Sequence, residues 1–435
     1  MKYTMKQVQF LQQIVILLCV FSLFGCAKNS AVPYSPRPIE ESTFLQRAKT
    51  QSRAGLTVTV SVLSPTESQR VFGVALESKG VQPVWFKIRN ESDKAYVFLP
   101  ITVDPQYYSP GEVAFMFKGK FSKSDYIVMD EYLDELNFNI TLIPPGEERS
   151  GFVYTEMDPG LKHVNAALYS LNELQDFDFF LEVPGITTPS DNIDFESLYA
   201  ANEIVNYEDD EELRKALESL PCCITDEEGN GEGNPINFIF IGQREDIGDA
   251  LIRRGWDVAE TVPDNLQDEE INLFSKARYR TFPMSDFYLY SRSQDVGLQK
   301  ARRTRRGNLR QRIEMRLWLS PIRFKGSEVW VGAISTDVGS KIKIKDFKLI
   351  EEKQIDPNTD EARGYLIEDI VFSGNVIKVG RVKGIEPADR FNPHTNLKGQ
   401  PWWTDGNRVV FLFQEQPVTL PELEFFSWEG LEAEY

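Results

Sequence analysis

Histidine is almost missing from this chain: two residues, His163 and His394, in 435. Transition-metal centres draw heavily on imidazole, so a His-rich metal site is excluded, and a Ser-His-Asp relay would hang on one of two residues. Cysteine is nearly as scarce, with Cys19, Cys26, Cys222 and Cys223. That excludes a fold held together by a disulfide framework. Positive charge is in deficit, 48 Lys and Arg against 66 Asp and Glu, for a formal net charge of −18. Bulk attraction to nucleic acid or anionic lipid is therefore absent. The most apolar stretch, 14–24, has about 11 residues against the ~20 of a membrane-spanning helix. The glycine-rich loop 229–234 has no strand before it and no P-loop lysine after it, so it is not read as a nucleotide site.

What is present begins with an address. Lys2 and Lys6 precede the apolar stretch, which ends in Leu23-Phe24-Gly25-Cys26. A positive start, a short apolar core and a small residue before a cysteine form a bacterial lipoprotein signal. Residues 1–25 are expected to be removed, leaving Cys26 to carry a thioether diacylglycerol and an acylated amine. Two such signals suffice for stable anchoring. Ala27 follows the cysteine where an inner-membrane lipoprotein has Asp, which in a Gram-negative host directs the protein to the outer membrane, facing the periplasm. Phe24 is larger than the usual residue there, and an ordinary secretory leader with a chance cysteine is the alternative.

The fold class expected is α+β and multidomain: an N-terminal antiparallel β-sandwich, then a mixed α/β sheet domain. Residues 26–53, with Pro33, Pro36 and Pro38, read as a flexible tether. Residues 54–186 read as the sandwich, with strands at 56–62, 71–76, 84–89, 95–100, 112–117, 150–154 and 177–183. Trp85, Phe98 and Phe152 are its candidate core, and His163 has no carboxylate near it in sequence. Residues 187–233 form a connector with helices expected at 195–205 and 209–220, the second ended by Pro221. Residues 234–424 form the second domain. Its strands are expected at 236–241, 256–261, 287–293, 310–319, 328–335, 340–349, 375–383 and 408–414. Its helices are expected at 245–254, 265–277 and 359–371, with Asn358 and Glu361 as a capping box for the last. An acidic tail, 425–435, closes the chain.

Three constellations could carry chemistry. Arg302, Arg303, Arg305, Arg306, Arg310 and Arg312, flanked by Lys300 and Arg316, form a basic run broken by one acid, Glu314. It is a candidate anion site for a phosphate, lipid headgroup or acidic glycan. The alternatives are the wet face of a strand, where Arg310, Arg312, Glu314 and Arg316 alternate, or pairing with acidic segments inside the protein. Asp356 and Asp360, with Asn358 between them and with Asp337, which follows the strand 328–335, able to approach this loop, form a candidate carboxylate cluster. Glu361 and Ile367 stand where a calcium loop needs Gly and Glu, so helix capping competes with a metal reading. Cys222 and Cys223 are adjacent, about 3.8 Å apart at Cα and below the usual disulfide range. They read as half-buried thiols, as a vicinal disulfide, or as a metal or redox pair. His394 precedes Trp402 and Trp403 in a loop suited to anchoring or to stacking on a sugar ring. No cofactor and no metal are expected.

The blocks Asn234-Pro235-Ile236-Asn237-Phe238, Ala250-Leu251-Ile252-Arg253-Arg254-Gly255-Trp256, Met315-Arg316-Leu317-Trp318, Val329 to Asp337, and Ile355-Asp356-Pro357 to Arg363 together resemble the LssY C-terminal domain family over residues 234–384. The family pattern carries a His before the Ile-Asp-Pro triplet and another before Arg-Leu-Trp. This chain has Gln354 at the first place and residues such as Glu314 at the second. The resemblance implies no settled activity. Some relatives join the domain to a membrane-embedded lipid-phosphatase domain whose helices are not seen here, so that activity does not transfer. Residues 54–184 look like the β-rich partner found ahead of this domain.

The expectation is a lipid-anchored, non-catalytic binding or scaffold protein of the cell envelope. It would hold the membrane through Cys26 and contact an envelope protein, lipid headgroup or glycan, with no nucleic acid. The alternative is a hydrolase acting on a phosphorylated lipid or glycan through Asp337, Asp356 and Asp360.

Overall fold

Alternating β-branched residues at 56–62 form a strand in which Leu56, Val58, Val60 and Val62 are buried while Thr57 and Thr59 between them are half-exposed, as one covered face requires. A computed structural model describes residues 33–36, 41–139, 141–158, 160–184, 193–259, 284–301, 312–345, 348–415 and 418–429. The N-terminal elements are α1 (Glu41–Leu45), β1 (Lys49–Arg53), β2 (Leu56–Val62), α2 (Pro65–Phe72), β3 (Val81–Asn90), β4 (Tyr96–Leu99), α3 (Pro110–Phe117), α4 (Lys123–Glu135), β5 (Thr141–Ile143), β6 (Glu148–Glu156), β7 (Leu161–Ser170) and β8 (Glu173–Glu182). They make two four-stranded antiparallel sheets, ordered β1-β2-β3-β6 and β5-β4-β7-β8. Val58, Phe86, Phe98, Val164 and Phe179 fill the space between them.

Two expected strands do not form. Residues 112–117 lie in α3, while 71–76 take in the end of α2, a turn at Gly73 and the start of a 3-10 turn at Leu76; both helices are opened by a Ser-Pro pair and a capping box, Ser64 with Glu67 and Ser109 with Glu112. A serine cap, proline in the first turn and a returning glutamate outweigh the strand propensity of Val and Phe. α4 opens on a serine cap, Ser122, which accepts from the Asp125 backbone, without the proline or the returning glutamate. These helices cover the outer face of the first sheet. Trp85 and Phe152 point there, to Phe72, Val113, Phe117, Met129 and Leu133, while Phe98 lies inside the sandwich. That is why 81–86 is buried without alternation.

The second half contains β9 (Val205–Tyr207), α5 (Asp210–Glu218), β10 (Phe238–Gly242), α6 (Arg244–Arg253), β11 (Asp257–Val258), β12 (Tyr288–Leu289), β13 (Arg292–Ser293), β14 (Val296–Ala301), β15 (Arg312–Phe324), β16 (Ser327–Lys345), β17 (Lys348–Ile355), α7 (Thr359–Val371), β18 (Val376–Lys383), β19 (His394–Thr395), β20 (Pro401–Trp402), β21 (Asn407–Phe413) and β22 (Glu424–Phe425). Ten of these strands form one sheet along β11-β14-β15-β16-β10-β21-β18-β22, with β17 paired to β16 and β9 to β15. It is mixed, since β10 pairs β21 in parallel and β16 antiparallel. With the antiparallel sandwich before it, the chain is α+β.

Both faces of this sheet are covered. α6 and α7 pack on one, over Phe238, Phe240, Met315, Leu317, Trp330 and Phe411. On the other, α5 and the strands around Leu289 cover Ile239, Ile241, Trp318, Val331 and Val410. The helix expected at 195–205 is absent. Phe195 and Tyr199 instead serve as single anchors, Phe195 against Trp330 and Tyr199 donating to the Leu319 carbonyl at 2.7 Å. The helix expected at 265–277 lies outside the described residues. No described helix is long and apolar enough to cross a membrane.

Candidate functional site

β15 carries the site-bearing part of the basic run, and it is not a wet face. Ile313, Met315 and Leu317 face the α6/α7 layer, while Arg312, Glu314 and Arg316 face the other and are 3%, 6% and 5% exposed. The reason is coverage: Arg316 lies 4.6 Å from the Phe287 ring centre and donates to the Ser285 carbonyl, so the 285–287 segment closes over it. Arg302, Arg303, Arg305, Arg306 and Arg310 lie outside the described residues, as does Cys26. Arg312, expected with them as a surface anion ligand, donates instead to Gln299 Oε1 at 2.7 Å.

Glu314 is the centre of this buried group. Lys353 Nζ on β17 lies 2.6 Å from its carboxylate, Arg316 at 3.4 Å, and Gln299 Nε2 donates to it at 3.3 Å. Burial disfavours its charge, but Lys353, Arg316 and Arg312 together outweigh that and hold Glu314 below the usual carboxylate range. Asp337 shares the same lysine at 3.5 Å, but its Oδ2 has no hydrogen-bond partner. Burial first, and then the Glu314 charge, push Asp337 up to about 7. One anion is thus stabilised at the expense of its neighbour. Lys353 gave no signal in the sequence, because only the β16–β17 pairing brings it to β15.

The three candidate carboxylates hold separate partners. Asp356 Oδ1 accepts from the Asn358 backbone, while its own N–H donates to the Thr336 carbonyl beside Asp337. Asp360 accepts from Thr404 Oγ1 at 2.6 Å and from the Asp405 backbone at 2.7 Å, with Arg363 at 3.1 Å. The capping box is replaced: the Asn358 side chain makes no cap bond and donates to Glu361 instead. Lys300 pairs with Asp369, which also takes Arg254 and the Trp256 indole N–H, tying α7 to the end of α6. His394 stacks on the buried Trp402 at 4.5 Å, anchoring the β19–β20 hairpin. His163, unpaired in sequence, meets Asp178 on the neighbouring strand at 2.8 Å. Cys222 and Cys223 are joined as a vicinal disulfide.

An opening lies between the two halves. A cleft of about 680 Å³ runs from Lys49, Phe180, Glu182 and Val183 on the sandwich to α6 and the sheet edge at Leu298, Leu317 and Trp330. Its α6 wall presents Ile247, Leu251 and Ile252, with Arg244, Glu245 and Asp249 interspersed. Arg244 is held in place by Glu328 at 3.0 Å and lies over Phe195. Burial is the main cause lifting Asp249 to about 7, with Lys49 and Arg253 pulling the other way. A second cleft of about 200 Å³ continues past Arg253, lined by His163, Lys162 and Trp256. At Gly248 an added Cβ would meet nothing within 4 Å, so this helical glycine faces open space in the cleft. Sequence reasoning missed the cleft because its walls come from segments far apart in the chain.

Residues 214–407 match the family described as LssY C-terminus. Residues 214–407 are therefore an LssY C-terminal-like domain, and the match reaches beyond the 234–384 resemblance to take in the last turns of α5, the cysteine pair and the β19–β20 hairpin. No curated protein matches the chain.

Proposed function

We propose that this chain is a lipid-anchored, non-catalytic binding protein of the cell envelope, and that a small amphiphile occupies the cleft between its two halves. The observation that carries this reading is the cleft itself. Its 680 Å³ falls within the ~300–1,000 Å³ typical of small-molecule sites, and mainly apolar walls with a few placed charges are the usual composition of such sites. Ile247, Leu251, Leu298 and Trp330 would take an apolar body, and Lys49 and Arg244 would orient an acidic head. Asp249, lifted to about 7, is only partly ionised at neutral pH and repels an acidic head less than an ordinary carboxylate would. The lipoprotein signal at Cys26 supports a place on the envelope, where such amphiphiles are found. The basic run 302–310 remains a candidate for a second, surface contact with acidic headgroups.

The hydrolase alternative draws on Asp337, whose raised affinity for a proton and buried oxygen held only by the Lys353 ion pair are features common at functional sites. Asp356 and Asp360 do not join it in one cluster, and the interdomain clefts are lined by other residues.

Two experiments test the proposal. With anilinonaphthalene sulfonate as probe, wild type is expected to bind one dye saturably, and Gly248→Trp, which puts an indole into the cleft, to lower affinity at least about tenfold (about 1.4 kcal/mol). Equal binding by a folded Gly248→Trp would remove the cleft from the account. Metabolic labelling with an alkyne fatty acid is expected to mark wild type and leave Cys26→Ser unlabelled and off the membrane. An unlabelled wild type would contradict the anchor.

A further inference from the structure

We propose that Cys222, Cys223 and Glu232 form a redox-gated site for a soft or borderline divalent cation of the zinc or cadmium type, closed while the cysteines are joined and open when they are reduced. This goes beyond the binding role of the cleft and does not rest on it.

The donor set comes from a short hairpin. The Cys222 carbonyl accepts from the Ile236 N–H at 2.8 Å, the Ile224 N–H donates to Asn234 at 3.1 Å, and the Gly233 N–H donates to Ile224 at 2.8 Å. Cys223 bridges to Pro235 across the same pair. In this register Cys222 and Cys223 lie opposite Ile236 and Pro235, and Glu232, in the turn beyond, brings its carboxylate to them: the two sulfurs and the Glu232 carboxylate all lie within 4.8 Å of one another. Among the described residues it is the one group of three or more such donors that close together. The turn is fixed by close approach: a Cβ at Gly233 would fall 2.6 Å from Ile224, and one at Gly231 2.7 Å from Leu397. The base of the hairpin is held by Arg408, which donates to the Pro221 carbonyl at 2.5 Å and the Ile236 carbonyl at 3.0 Å. Cys223 is buried and Glu232 exposed, so an ion would meet a protected thiolate on one side and solvent on the other.

Two Zn–S bonds of about 2.3 Å at a tetrahedral angle hold the sulfurs about 3.8 Å apart. Adjacent cysteines whose Cα atoms are 3.7 Å apart reach that spacing by side-chain rotation once the bond between them is broken. Glu232 supplies the third ligand, and water completes the open fourth position. The chemistry balances. An external dithiol or phosphine gives up two electrons and is itself oxidised, the S–S bond breaks, and two protons convert the sulfurs to thiols. Metal binding then releases those two protons as the thiolates coordinate. Joined to each other, the sulfurs cannot act as thiolate ligands, so oxidation and metal binding exclude one another. Reduction leaves the fold standing, because a bridge between neighbours constrains almost none of the unfolded chain.

The test uses the chain from residue 27 onward, in which Cys222 and Cys223 are the sole cysteines. After reduction with a water-soluble phosphine, Cd²⁺ titration is expected to give a thiolate-to-metal charge-transfer band saturating at one equivalent. The oxidised protein should give none, and Glu232→Gln should keep the band but bind about tenfold more weakly (about 1.4 kcal/mol). Cys222→Ser and Cys223→Ser should each lose tight binding while circular dichroism stays unchanged. No band in the reduced, folded protein, the same band after oxidation, or an unchanged affinity in Glu232→Gln would each overturn the proposal.

Discussion

Replacing Arg408 by methionine is expected to destabilise the second half by about 3–5 kcal/mol, the scale seen when a buried charged network loses one partner. Arg408 is fully buried, and its guanidinium meets carbonyl oxygens only: Leu217 at 2.8 Å, Ile236 at 3.0 Å, Leu220 and Gly384 at 3.3 Å, and Pro221 at 2.5 Å. Burial is the largest influence on it and pulls it down to about 10, so it still carries its charge at neutral pH. Three of the carbonyls close the C-terminal end of α5 and the turn after it, where a cation also meets the helix dipole. Methionine fills much of the volume and donates nothing, leaving those acceptors dry at ~1–3 kcal/mol each, partly offset by no longer burying a charge. Urea unfolding should show the loss, and hydrogen exchange should place it at 217–236 and in β10 and β21. A loss under about 1 kcal/mol would mean that water reaches these carbonyls.

Glu314→Gln is expected to cost a similar ~3–5 kcal/mol at neutral pH, because Lys353, Arg316 and Arg312 then share a buried site without their central anion. Its pH dependence has a definite sign. Glu314 titrates lower in the folded protein than in the unfolded chain, so its contribution is present above about pH 4.3 and is lost as pH falls toward the folded value. Asp337 has the opposite sense. Its folded value of about 7 lies above the unfolded ~3.9, so the native state holds a proton that the unfolded chain has released, and stability falls as pH rises between the two. Asp337→Asn should therefore gain stability relative to wild type above pH 7 and little below pH 4. In Glu314→Gln the repulsion that raises Asp337 is removed, so the decline between pH 4 and 7 should shrink. Urea midpoints across pH check all three proteins. An Asp337→Asn that is no more stable at high pH would contradict the assignment of the strained proton to this carboxyl.

Much of the architecture was legible in local pattern. The alternation at 56–62, the buried run at 236–241, Gly255 after α6 and the helix 359–371 all appear close to where periodicity and punctuation put them. The misreadings share a cause. At 112–117, and at 71–72 where 71–76 begins, apolar content points to a strand while the Ser-Pro-x-Glu start upstream decides for a helix. At 195–205 helical spacing proved to be two aromatic anchors on a sheet formed mostly by later residues. Arg312 and Arg316 looked wet because a strand's second face is read as solvent unless a covering segment is foreseen, and Phe287 gives no sign of that role. The same limit hid Asp178 from His163 and Lys353 from Glu314, since cross-strand partners depend on register. The cleft is a property of two domains meeting and has no local signature.

The most direct measurement is calorimetric titration of the chain from residue 27 onward, free of its own lipid, with a single-chain phosphorylated amphiphile below its micelle concentration and, separately, with the matching headgroup alone. The account predicts one amphiphile per chain with a negative heat-capacity change, as burial of an apolar body requires, and at least tenfold weaker binding in Gly248→Trp and for the headgroup alone. Equal heats from headgroup and amphiphile, or amphiphile binding untouched by Gly248→Trp, would contradict it.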